Sequence, residues 1–136
     1  MPQSSLIDPD DCQGPLHPKA IEGLELFNQG QYWKAHEALE AAWKDEPGRI
    51  RQLYQGILQA GVVYLHVSRA NYPGAVKVNG RCHRWLDPWP DHCRGIEVGT
   101  LRRDLAAVME QVRTLGPDHL DRFDRSLLKP VIYTTP

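Results

Sequence analysis

The chain has 136 residues, enough for one domain with a buried core. Apolar residues make up 41% and charged residues 24%, the composition of a soluble globular domain. Sixteen basic side chains face seventeen acidic ones, a net charge of -1. That balance disfavours a protein living on phosphate-backbone affinity, so no nucleic-acid partner is expected. No apolar run approaches the ~18 residues of a membrane span, and Met1 to Ser5 hold neither a basic nor an apolar leader segment.

Residues 1–17 are polar and turn-rich (Asp8-Pro9-Asp10-Asp11, Gly14-Pro15) and read as an irregular arm. Pro18 suits a first helical turn, where its missing N–H costs nothing. Ile21, Leu24 and Phe27 form a stripe, and Gly30 is a left-handed stop, so a first helix is expected over 18–29. Tyr32, Ala35, Leu39, Ala42 and Trp43 share one face of a second helix that ends near Asp45, before Pro47-Gly48. Residues 50–69 are apolar almost all round, the mark of a central helix. Within it Gly56 and Ala60 lie four apart, which lets a neighbouring backbone come close. Pro73 opens a fourth helix with an inner stripe of Ala75, Val78, Cys82 and Leu86. Asp87 to Asp91 is a proline-rich loop. A fifth helix over 98–115 carries a regular seam (Val98, Leu101, Leu105, Val108, Val112, Leu115) that could serve the core or a homodimer equally. Gly116-Pro117 stops it. The tail, 117–136, holds an amphipathic stretch near 120–128 and an extended Val131-Ile132-Tyr133 that can tuck against the bundle. No strand alternation stands out.

The expected fold is therefore all-α, a compact bundle of about five helices built from stacked helical hairpins around a long third helix. The bundle domain spans 18–116. A weak repeat supports the hairpins: Gly30 to Ala35 and Asn71 to Ala75 open their helices alike. Charge is uneven, with a net of -6 over residues 1–48 (three Lys, nine acids) and +5 over 49–136 (thirteen basic, eight acidic). The two parts can attract each other, or the second can offer a basic surface to an acidic partner.

One polar cluster stands out. On the second helix His36 lies in the apolar stripe, Glu40 sits one turn on at its edge, and Glu37 points outward. On the third, Gln52, Gln55, Gln59 and His66 form one narrow stripe. Amides and an imidazole, in place of Lys or Glu, suggest a seam inside the protein or along a cleft. Buried amides need partners, and His36 and Glu40 are the natural ones. Three arrangements fit: a buried hydrogen-bond network, a cleft for a small ligand or peptide, or a metal centre. In the last, His36, Glu40 and His66 would hold zinc and Glu37 would act as general base. His36-Glu37-x-x-Glu40 is like the zinc-protease motif without its second histidine.

Three cysteines, Cys12, Cys82 and Cys93, argue against a disulfide framework and for a reducing cytoplasm. Cys82 and Cys93 could still pair. Cys82-His83 with His92-Cys93 could form a zinc clip, although the spacing is not standard; Cys82 also fits a small core residue. Trp85 and Trp89 with Arg81 and Arg84 could stack on a ligand or simply pack, with the charges reaching out to solvent. Neither a phosphate-cradling glycine loop nor a Gly-x-Ser-x-Gly elbow is present.

Phe27-Asn28-x-Gly30-x-Tyr32-x-x-Ala35-His36-Glu37-x-Leu39-Glu40-x-x-Trp43 resembles the signature of the bacterial and archaeal "domain of unknown function 309" family. The likeness continues through Tyr54-Gln55-Gly56-x-x-Gln59-x-x-Val62, Tyr64-x-His66, Asn71-x-x-Gly74-Ala75 and Gly95-Ile96-Glu97-Val98-x-x-Leu101, roughly residues 17–115. It implies a small all-helical domain of uncertain biochemical role. Its signature positions fall on His36, Glu37, Glu40, Trp43, Gln55, Gly56, Gln59 and His66. Cys82, His83, Cys93 and the tail lie outside the pattern. The leading expectation is a non-catalytic binding or scaffold domain whose partner is a small molecule or a protein. The alternative is a metal-dependent, hydrolase-like enzyme.

Overall fold

The structure, a computed structural model, describes residues 7–135. Residues 1–6 of the expected arm and residue 136 of the tail lie outside the described residues. Five α-helices occur among them: α1 (Pro18–Asn28), α2 (Tyr32–Asp45), α3 (Arg51–Ser68), α4 (Tyr72–Leu86) and α5 (Val98–Leu115). Their ends fall within one residue of the sequence expectation. No described helix is long and apolar enough to cross a membrane.

Local chemistry sets the helix ends. His17 caps α1: its Nδ1 accepts from the Lys19 N–H at 3.0 Å, which leaves Nε2 to donate to Asp45 at 2.7 Å. The arm is thus tied to the end of α2. The turn α1–α2 and the turn α3–α4 have the same geometry, which accounts for the weak repeat. Gly30 and Ala70 are both left-handed, with φ of 77° and 55°. The next N–H closes a Schellman turn in each case, Gln31 onto Leu26 O at 2.9 Å and Asn71 onto His66 O at 2.8 Å. Asn71 then caps α4 by accepting from the Gly74 N–H at 3.1 Å.

α1 packs on α2, α2 on α3 and α3 on α4, as successive hairpins. Phe27, Tyr32 and Tyr64 meet where α1, α2 and α3 converge, with ring centroids 5.3–5.7 Å apart. Edge-to-face pairs of this kind add to the area they bury. α3 is the spine, with ten buried residues including Leu53, Tyr54, Ile57 and Tyr64. The tightest crossing is at Gly56: a Cβ there would stand 3.1 Å from the backbone of Trp85 and Leu86 on α4. The same approach lets the Cys82 thiol donate to Gly56 O at 3.3 Å. The inner face of α4 takes in Asn79 as well as Val78, which is partly buried against the core, so one buried residue of that face is polar. The α5 seam is buried within this one chain, from Val98 through Val112, so the chain's own core occupies the surface that could have served a second copy.

The chain differs from the expectation in a small sheet. β1 (His92–Cys93) and β2 (Ile96–Glu97) pair antiparallel, joined by Arg94 and Gly95. Both linker residues have positive φ, 48° and 86°, as a two-residue type I′ hairpin requires. The extended tail lies on its edge, through Glu97 N–H to Ile132 O (2.9 Å) and Thr134 N–H to Gly95 O (3.0 Å). Asn28 clamps the tail from α1, donating to Val131 O at 2.9 Å and accepting from Val131 N–H at 2.8 Å. The 120–128 stretch holds two 3-10 turns.

The cysteine reading is corrected here as well. Cys12 and Cys93 form a disulfide, with Cα atoms 4.6 Å apart and 81 positions between them in sequence. Cys82 is the remaining thiol and cannot pair with Cys93. An odd count therefore did not mean unpaired cysteines, and the argument for a reducing cytoplasm falls with it. Arg94 reinforces the joint by donating to Asp11 O at 2.8 Å and Pro15 O at 2.9 Å.

Two substitutions test these contacts in opposite directions. Gly56→Ala is expected to destabilise by about 1–3 kcal/mol, because the methyl meets backbone that cannot rotate away. Ala70→Gly is expected to stabilise by roughly 0.5–1 kcal/mol, because glycine carries no Cβ penalty at positive φ. Urea unfolding midpoints of both variants against the parent measure the two effects.

Candidate functional site

The polar residues singled out from the sequence do not meet at one point. His36 is half-buried, and its ring lies flat on Trp33, with centroids 4.8 Å apart and planes 5° apart. Trp33 is itself 54% exposed. The Nδ1 of His36 is buried with no partner among the described residues. Glu37 is exposed, and Glu40 reaches only Lys44, at 3.4 Å on the surface. Trp43 packs half-buried against the core.

His66 is committed elsewhere. Its Nδ1 faces Asn71 Nδ2 at 3.0 Å, and Asn71 is the cap of α4. The imidazole also sits against Gly74, where a Cβ would come within 2.6 Å of Nδ1. This histidine therefore shapes the α3–α4 turn. Among the described residues no three His, Cys, Asp or Glu side chains form a group that could hold a metal ion. The ligand set of His36, Glu40 and His66 is not assembled among the described residues.

The second zinc arrangement is not assembled either. His83 pairs with Asp87 at 3.0 Å, His92 pairs across the hairpin with Glu97 at 3.0 Å, and Cys93 is in the disulfide. Cys82 is buried against Gly56, and burial pushes its thiol up to about 12, with the Asp87 charge adding to the shift. That is a core thiol, not a nucleophile.

The glutamines have a different neighbour from the one the helical wheels suggested. No hydrogen bond joins Gln55 or Gln59 to His36 or Glu40 among the described residues. Both instead line a groove of about 360 Å³ between α3 and α4, together with Gly80, Arg81, Arg84 and Trp85. The helix pair runs antiparallel, so Gln55 and Gln59 on α3 oppose the 80–85 stretch of α4, level with the Gly56 crossing. Gln55, Gln59 and Trp85 are half-buried, while Arg81 and Arg84 are exposed. Neither arginine has a carboxylate partner among the described residues. Trp89, by contrast, is 2% exposed and belongs to the core.

The sequence held both halves of this groove separately: a glutamine stripe on α3 and an arginine–tryptophan group on α4. Only the α3–α4 crossing joins them. Gly80 drew no notice in the sequence, although a glycine inside a helix is the signal that could have found it.

The family model described as a domain of unknown function, DUF309, matches residues 20–78. The resemblance to that family therefore stands. The match takes in the glutamine stripe but ends before Gly80. The chain is 32% identical over 108 residues to the uncharacterised protein YpuF of Bacillus subtilis, a match that spans 74% of this chain and 61% of that protein. An uncharacterised protein of Aquifex aeolicus is 29% identical over 102 residues, covering 73% of this chain and 30% of its own length. The chain thus spans less than two thirds of either relative. No solved structure matches.

The buried thiol makes an alkaline prediction. A thiol whose folded value lies above its ordinary 9.0 adds stability that is whole below pH 9 and is withdrawn as pH climbs toward about 12. Cys82→Ala has no thiol to ionise, so its urea midpoint should fall less than that of the parent across this window. Parallel slopes would mean that the thiol ionises without leaving the core.

Proposed function

We propose that this domain binds a small polar ligand in the α3–α4 groove and performs no chemistry on it. The observation that carries the reading is the convergence of Gln55, Gln59, Arg81 and Arg84 on one open groove, with neither arginine paired to a carboxylate among the described residues. A stabilising network would close these groups on one another, because unpaired polar groups contribute nothing to the fold. Here they face a hollow, and its size is at the low end of the roughly 300–1,000 Å³ of small-molecule sites. Donors dominate the lining: two guanidinium forks and two amides. That chemistry accepts anionic and carbonyl-bearing ligands.

The test is a solution-NMR titration with a panel of small anions: inorganic phosphate, citrate, benzoate and adenosine monophosphate. At least one should shift the Gln55 and Gln59 side-chain amides. Gln59→Ala should then weaken that anion by about tenfold or more, the worth of one hydrogen bond to a charged group. If no member of the panel moves those amides, the binding reading falls.

A further inference from the structure

Gly80 is the least expected residue of the groove. It lies inside α4, where glycine is less favourable than alanine by about 1 kcal/mol. The other helix-interior glycines that line crossings have a packing reason. Gly56 admits the α4 backbone, Gly61 admits the Phe27 ring and Gly23 admits Leu39. Gly80 has none: a Cβ there meets nothing within 4 Å, and its φ is not in the left-handed region. What its bareness provides is open space on the α4 wall of the groove, beside Arg81 and Arg84 and across from Gln55 and Gln59.

The wall residues divide by chemistry. Arg81 and Arg84 are three apart and therefore neighbours on the face of α4, so two guanidinium forks can converge on one anion. Trp85, one turn on from Arg81, is half-buried, with part of its indole surface accessible at the groove. Aromatic faces of this kind hold flat rings. Gln55 and Gln59 each offer a carbonyl and an amide on the opposite wall, which matches a ring edge carrying both donors and acceptors. A bare stretch of wall, an anion clamp, a stacking face and two amides together describe one ligand class.

From this arrangement we infer that the groove takes a free mononucleotide, with the phosphate on Arg81 and Arg84, the base against Trp85 and its edge read by Gln55 and Gln59. The inference rests on the binding reading above and names its ligand class. The net charge of -1 and the small volume favour a free nucleotide over one unit of a nucleic-acid strand.

Calorimetric titration of the full chain with adenosine monophosphate, guanosine monophosphate, ribose 5-phosphate, adenosine, inorganic phosphate and a single-stranded oligoadenylate tests it. One or both nucleotides should bind at least about tenfold more tightly than ribose 5-phosphate, the contribution of ring stacking. Raised salt should weaken them, since the arginines are exposed. Arg81→Gln and Arg84→Gln should each cost about tenfold. Gly80→Leu should abolish nucleotide binding while the melting temperature holds or rises, because leucine favours helix and enters open space. That variant separates a filled groove from a broken fold. Phosphate binding as tightly as both nucleotides, oligoadenylate binding more tightly than either, or Gly80→Leu binding unchanged would each overturn the inference. If citrate or benzoate moves the Gln55 and Gln59 amides and neither nucleotide binds, the nucleotide assignment falls and the binding reading stands. If nothing binds, both fall.

Discussion

The close backbone approach of α4 to Gly56 of α3 is the constraint from which the rest of the site follows. With no side chain at 56, the backbone at Trp85 and Leu86 comes to 3.1 Å of where a Cβ would stand. That distance fixes the register of the two helices. It seats the Cys82 thiol on the Gly56 carbonyl, and it sets Gln55 and Gln59 opposite Gly80, Arg81 and Arg84. Interiors pack too densely for a shift at one such point to be absorbed locally. A methyl group at 56 would therefore move both walls of the groove.

The helices were legible in the sequence because their ends are set by local chemistry. Gly30, Pro73 and Gly116-Pro117 each act within a turn of where they stand, and the α5 seam repeats often enough to fix its period. The sheet was not legible, for an equally physical reason. Each strand has two residues, too short for alternation to register, and the turn between them uses Arg94 at positive φ where Asn or Gly is usual. The Cys12–Cys93 bond depends on where the arm is carried by the bundle, which no spacing rule contains. The reading of α4's inner face included Val78, which does pack on the core, but missed the neighbouring Asn79 and its buried amide.

Half of the candidate site was legible too. A helical wheel gives the direction of a stripe but not the identity of the helix that faces it. The glutamines of α3 were read as facing His36 and Glu40 on α2, the helix before them in sequence. They face α4, the helix after. His36 instead rests on Trp33, its neighbour on the same helix, and His66 shapes the turn into α4. A histidine and two carboxylates spaced like a metalloprotease motif thus share no site with His66, because motif spacing constrains one helix and a metal centre needs three-dimensional convergence.

The clasp that joins the arm, the hairpin and the tail differs from the helical hairpins in how far its contacts reach along the chain. Each hairpin from α1 to α4 closes between neighbours in sequence. The clasp joins Cys12 to Cys93 and Asn28 to Val131, across 81 and 103 positions. Closing such long loops carries an entropic cost that local helix pairing does not meet. During synthesis the four helices can find one another as they emerge. The Asn28–Val131 part of the clasp must wait until Val131 has been made, after all four helices have left the ribosome's catalytic centre.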